Sequence, residues 1–279
     1  MEKHPGNFVG DIHAYDYTGV YEAGLSGYEG LIMDGRDAES LDGLWRYGVD
    51  PYDTCLRATW YKEKYKDADG RPLPVDFSFD QWPVMRLPCC WNTQAEKLFL
   101  YEGPVVFTRT FRYAPRGDER VFLKIGAANH VCRAFLNGAY IGMHRGGNTP
   151  FCLEMTGKLR EENRLLIVVD NRRRPEQVPC ENTDWFNYGG IYRSVSLLRL
   201  PEIFVREFFA RLVPDGKFDK VAVTVRLSDA ADGEAVFRLD ELGVRQAIPV
   251  SGGKGSAVIS VPSLSLWSPD SPKLYDVSV

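Results

Sequence analysis

Asp184-Trp185-Phe186-Asn187-Tyr188-Gly189-Gly190-Ile191-Tyr192-Arg193 is the stretch of the chain in which residue types that could do chemistry stand closest together. An ionised Asp184 offers two acceptor oxygens, Asn187 can both donate and accept, and Trp185 and Tyr188 carry apolar rings with a polar tip. The Gly189-Gly190 pair permits positive φ or a close backbone approach. The alternation from Arg193 to Leu198 suits a strand. Such a segment positions side chains rather than merely linking elements. A plainer reading is a packed corner in which Trp185, Phe186 and Tyr188 fill core and Asp184 caps a turn.

Other combinations point to less. No sequence signature links His144 to a serine and an aspartate in the manner of a nucleophile triad. His4, Asp11, His13 and Asp16 match no familiar metal spacing, so neither a metal nor a cofactor is expected. The six cysteines (Cys55, Cys89, Cys90, Cys132, Cys152 and Cys180) include no Cys-x-x-Cys pair. Reduced thiols in a cytoplasmic protein are the simplest reading, and the adjacency of Cys89 and Cys90 disfavours a structural disulfide between them.

Several further stretches stand around this run in a particular order. Leu41-Asp42-Gly43-Leu44-Trp45-Arg46-Tyr47 comes first, then Asp80 to Pro88 with Trp91-Asn92, then Phe135-Leu136-Asn137-Gly138 and His144-Arg145-Gly146-Gly147-Asn148-Thr149-Pro150-Phe151. Together with Asp184 to Arg193 they resemble the N-terminal sugar-binding domain of glycoside hydrolase family 2, the β-galactosidase and β-glucuronidase family. The resemblance extends from about residue 41 to Val279 and includes Leu266 to Tyr275, similar to a motif late in the family's immunoglobulin-like second domain.

The resemblance implies a division of labour. Family members hydrolyse β-glycosides with a retaining carboxylate pair about 5 Å apart, carried on a third domain, a (β/α)₈ barrel, where the acid/base glutamate follows an asparagine. No Asn-Glu dipeptide occurs in this sequence and no βα repeat follows residue 200, so no catalytic residue is expected here. The family's aspartate at the position of Asp184 reaches from the first domain to a sugar hydroxyl. On that basis Asp184, Trp185, Asn187 and Tyr188 are the expected substrate-binding residues, with Asn187 and Arg193 also able to tie the loop together. His144 to Phe151 is expected near that loop as a shaped turn, because Arg145 and Asn148 depart from the acid and aromatic residues often found there.

The elements that must hold such a loop read as strands. Val121, Leu123 and Ile125 alternate with Phe122 and Lys124. Asn137-Gly138 between two apolar runs is a strong hairpin signal, since a type I′ turn needs positive φ at both centres. Gly103 to Phe111 and Leu165 to Val169 add strands. After Pro201 come Ile203 to Leu212, an almost faultless alternation around Val221, Val223, Val225 and Leu227, then Ala235 to Leu239 and Ala257 to Val261, about six strands in all. The expected fold is all-β: a jelly-roll β-sandwich (galactose-binding-like) followed by an incomplete immunoglobulin-like β-sandwich. The expected domains are an irregular N-terminal extension (1–40), the jelly-roll sugar-binding domain (41–200) and the immunoglobulin-like unit (201–279), the last truncated at its C-terminus.

Composition narrows the partners. A length of 279 residues, 44% hydrophobic and 26% charged, is that of an ordinary globular protein with room for two domains. A net charge of −4 with scattered basic residues argues against nucleic acid, and no apolar run of about 18 residues argues for a membrane span. Arg172-Arg173-Arg174 reads as a solvated loop or a set of carboxylate partners. The expected partners are a β-glycoside carbohydrate, the catalytic barrel of the same protein and a homo-oligomeric copy. A stand-alone carbohydrate-binding protein and a structural or adhesion module remain the alternatives.

Overall fold

The computed structural model describes residues 36–62, 65–66, 72–73 and 78–279, with 65–66 and 72–73 as backbone only. The residues His4, Asp11, His13 and Asp16 lie outside the described residues. Two compact units separate between Arg199 and Leu200.

The first unit begins with β1 (Asp37–Ser40), β2 (Gly43–Val49), helix α1 (Thr54–Arg57), β3 (Tyr65–Lys66), β4 (Pro72–Leu73), β5 (Val84–Leu87) and β6 (Cys89–Cys90). Helix α2 (Trp91–Gln94), β7 (Pro104–Arg112), β8 (Glu119–Ile125), β9 (Ala128–Asn129) and β10 (Val131–Leu136) follow. Then come β11 (Ala139–Arg145), β12 (Phe151–Glu154), β13 (Glu162–Asp170), β14 (Gly190–Ile191) and β15 (Val195–Pro201). A six-stranded sheet in the order β11-β10-β13-β7-β2-β5 faces a four-stranded one, β1-β15-β8-β12. Between them Val105, Phe107, Leu165, Ile167 and Val169 meet Val121, Leu123, Ile125, Phe151 and Leu197. Because successive side chains of a strand point to opposite faces, Val106, Phe135, Leu166 and Val168 emerge on the far side of the six-stranded sheet. There they are covered by Cys55, Leu56 and Phe79. The central strands are thus buried on both faces, which is why β10 and β13 read as nearly unbroken apolar runs.

The hairpin between β10 and β11 has the expected geometry, with φ of 51° at Asn137 and 82° at Gly138. The Asn137 side chain adds to it, accepting from the Arg164 amide at 2.9 Å. One expectation is corrected. Residues 37–40, expected to be irregular, form β1, which pairs with β15 from Asp37↔Arg199 to Ser40↔Ser196. All four of its residues are exposed, so the strand, at the sheet edge, leaves no alternation to read.

The second unit comprises β16 (Val205–Leu212), β17 (Lys220–Leu227), β18 (Gly233–Leu239), β19 (Val244–Ser251) and β20 (Lys254–Ser260), in the order β16-β17-β20-β19-β18. β17 and β20 pair from Lys220↔Ser260 to Arg226↔Lys254, whereas β19 meets β20 only at Val250↔Gly255 and Ser251↔Lys254. The sheet folds over at that point, so Val221, Val223 and Val225 pack on Phe237, Leu239, Ile248 and Val250 in one cluster. That is one strand fewer than expected. Leu266 to Tyr275 forms an isolated Ser268↔Ser271 bridge, and Ser278 bridges Arg238 on β18. Among the described residues no helix is long and apolar enough to cross a membrane.

On the first unit's smaller sheet, Arg120 of β8 meets Glu154 of the edge strand β12 with both carboxylate oxygens, at 2.8 and 2.9 Å. These bonds hold the Glu154 carboxyl below the usual carboxylate range. A folded pKa below the unfolded value of about 4.3 adds stability above that value and loses it as pH falls through the folded one. Glu154→Gln is therefore expected to cost about 0.5–1 kcal/mol at pH 7, the scale of a partly exposed pair, and to be close to neutral in acid. Urea unfolding at pH 7 and pH 3 checks this, and an equal cost at both would contradict it.

Candidate functional site

Gly189 is where the loop is most tightly constrained. Its amide donates to Asn92 Oδ1 at 2.8 Å and its carbonyl accepts from the Trp91 amide at 3.0 Å. The fully buried Trp91 indole lies so close that a Cβ built on Gly189 would sit 1.9 Å from the ring. At Gly190, φ is +148°, and an added Cβ would lie 2.2 Å from the Cys89 carbonyl oxygen. Both uses foreseen for the glycine pair are therefore realised, one at each residue. The chain then enters as β14 between β6 and β9, with Gly190 opposite Cys90 and Asn129.

Ahead of the glycines the loop has no ladder, and buried amides supply its hydrogen bonds. Asn171 Nδ2 donates to the Asn187 carbonyl at 3.1 Å, while Asn187 Nδ2 donates back to the Asn171 carbonyl. Asn129 Nδ2 reaches Asn187 Oδ1 at 3.2 Å and the Tyr188 carbonyl at 2.6 Å, and the Tyr192 hydroxyl also donates to that carbonyl. Asn92 Nδ2 meanwhile ties the Leu98 and Phe99 carbonyls at 2.9 and 3.1 Å. Further upstream, the two terminal nitrogens of Arg173 donate to the carbonyls of Thr183 and Trp185, the latter at 3.0 Å, and its Nε donates to Glu102 at 3.0 Å.

What remains free faces solvent. Asp184 is exposed, and among the described residues its carboxylate has no hydrogen-bond partner. Trp185 is 59% and Tyr188 48% exposed, so neither fills core. Phe186 lies between Phe99 and Tyr188, with ring centroids 5.4 and 4.6 Å away. The expected ligand set is corrected at one position: Asn187 is buried, and its amide is spent on Asn171 and Asn129. Arg193 is exposed and donates to the Asn148 carbonyl at 2.8 Å. Gly147 abuts the Asn129 amide. These two contacts bring His144 to Phe151 against the loop. That segment is a shaped turn in which His144 bonds Thr149 at 3.0 Å and stacks on Phe151 at 4.2 Å. Asn129, Asn171, Arg173 and Glu102 were not foreseen for the site, and Asn92 stood in a quoted motif without a role.

With this geometry in view, comparison with known proteins is direct. Residues 38–201 match the family model of glycosyl hydrolases family 2, sugar binding domain. The chain belongs to glycosyl hydrolases family 2. A β-glucuronidase of Paenibacillus borealis is 28% identical over 268 residues, which cover 88% of this chain and 42% of that protein. A β-galactosidase of Enterobacter cloacae is 26% identical, covering 86% of this chain and 26% of its own length. Among solved structures, an uncultured Clostridium β-glucuronidase superposes with a TM-score of 0.67 at 25% identity, covering 89% of this chain and 43% of that one. This family 2 chain thus spans less than half the length of these relatives, and it corresponds to their non-catalytic N-terminal portion.

The contact at Gly189 makes a sharp prediction. Gly189→Ala forces a Cβ into a buried indole that cannot retreat, so it should cost about 1–3 kcal/mol or more. Gly233→Ala, where an added Cβ meets nothing within 4 Å, should be close to neutral. Urea midpoints of the two variants test this, and equal midpoints would show that the loop yields.

Proposed function

We propose that this chain is the non-catalytic, sugar-facing part of a retaining β-glycosidase of the β-glucuronidase or β-galactosidase type. In that reading it supports the catalytic barrel and lends the Asp184 loop to the substrate pocket. The observation that carries the proposal is the state of Asp184. Its neighbours at Thr183, Trp185, Asn187, Tyr188 and Gly189 are tied down through backbone groups, while its own carboxylate is exposed without a partner. A carboxylate held that way is ready to accept hydroxyl hydrogens of a sugar, with the exposed rings of Trp185 and Tyr188 beside it for the apolar faces. The partners in this proposal are a β-glycoside, the catalytic portion of the same polypeptide and a second copy of the protein. Free thiols at Cys55, Cys89, Cys90, Cys132, Cys152 and Cys180 support a reducing, cytoplasmic setting.

Two measurements bear on it. The chain alone is expected to show no turnover of aryl β-glucuronides or β-galactosides, and activity that survives rigorous purification would refute that. In the family-length protein, Asp184→Asn keeps size and one acceptor but removes the charge. A charge-assisted hydrogen bond is worth about 1.5–3 kcal/mol, and about 1.4 kcal/mol is tenfold, so kcat/KM should fall about 10- to 150-fold. The thermal midpoint should stay unchanged, because Asp184 caps nothing. A destabilised variant with unchanged kcat/KM would overturn the substrate contact.

A further inference from the structure

We infer that Arg173 is a positioning residue for Asp184, a role that rests on Asp184 meeting the sugar. A carboxylate on a loop without a ladder keeps its aim only if the chain is fixed on both sides of it. Arg173 ties the two sides together: one terminal nitrogen donates to the carbonyl of Thr183, the residue before Asp184, and the other to the carbonyl of Trp185, the residue after it, so the planar fork straddles Asp184. The third donor, Nε, goes to Glu102 at 3.0 Å and sets the plane of the guanidinium. All three directions of the fork are used, a task that matches the rigid donor geometry of arginine and that the point charge of lysine does not fulfil.

Both ends of this clamp are anchored in the sheet. Glu102 precedes Gly103, whose amide donates to Asn171 Oδ1 at 2.8 Å, and Pro104 opens β7. On the other side, Arg173 follows Arg172, whose guanidinium is held by Asp170 at 2.8 Å and Asp53 at 2.9 Å, two carboxylates that are almost completely buried. The Arg172 carbonyl accepts from Gln177 Nε2 at 2.7 Å. The residue from which the Arg173 side chain departs is therefore as fixed as the strand β13 that ends at Asp170. A rigid base, a planar fork and two bracketed carbonyls together give the loop one orientation at Asp184.

The test uses Arg173→Lys, which keeps the charge and removes the fork, and Glu102→Gln, which keeps the fork and weakens its orientation. Amide hydrogen exchange is read in the chain itself at Thr183, whose amide donates to the Cys180 carbonyl at 3.1 Å, and kcat/KM is read in the family-length protein. Arg173→Lys is expected to speed exchange at this amide on the order of tenfold and to leave the thermal midpoint within about 2 °C. It should lower kcat/KM on the order of tenfold while adding little in an Asp184→Asn background. Glu102→Gln should fall between Arg173→Lys and the parent. If Asp184→Asn lowers kcat/KM but Arg173→Lys changes neither exchange nor kcat/KM, the positioning role is overturned and the sugar contact stands. It is also overturned if the two kinetic losses simply add. If exchange rises in Arg173→Lys while Asp184→Asn has normal kinetics, the sugar contact fails, and the positioning role falls with it although the clamp is real.

Discussion

The contact between Gly189 and the Trp91 indole is the constraint on which the rest of the site depends. Trp91 is fully buried and belongs to the core between the two sheets, so its position is set by packing that extends far from the loop. Gly189 lies against it with no room for a side chain. The loop is thereby registered to the core at one point, and everything from Asp184 to Arg193 is measured from there. Close packing transmits position: a neighbour that cannot be compressed defines where the chain must run.

From that point outward, a different problem has to be met. A segment that leaves a sheet carries backbone donors and acceptors into a partly buried setting without strand partners, and each one left unmet would cost free energy. Asparagine meets the need economically, because its amide both gives and takes a hydrogen bond. Asn92, Asn129, Asn171 and Asn187 are all buried, and their bonds run to carbonyls and amides of the loops around Asp184 and Phe99. The resulting scaffold is polar inside and presents Asp184, Trp185 and Tyr188 outward.

The fold was legible where burial follows a period. Val121, Leu123 and Ile125 alternate into the core, and Asn137-Gly138 requires a turn that few other pairs allow. Strand β1 was not legible because all its side chains are exposed, and β19 was hidden by Pro249 and by polar residues at Arg245 and Gln246. Only Ile248 and Val250 of that strand point to the core as fully buried residues. At the site, Asp184 and the glycine pair could be read because the motif is contiguous. Asn129 and Asn92 could not, since they act on residues up to 97 positions away. For Asn187 the sequence left both a ligand role and a loop-tying role open, because an amide that binds a ligand and one that ties a loop look alike in sequence.

Burial of the six-stranded sheet on both faces has a consequence for the chain before it folds. Strands buried on both faces, such as Val131–Leu136 and Glu162–Asp170, carry nearly continuous apolar runs, which in the unfolded polypeptide are short β-prone segments of the kind that stack into intermolecular aggregates. Within them Arg133, Arg164 and Asp170 interrupt the apolar run with charge. Arg133 is buried in the finished sheet, where burial pushes its guanidinium pKa down. In an unfolded chain, a charge in the middle of such a segment opposes sticking of one chain to another.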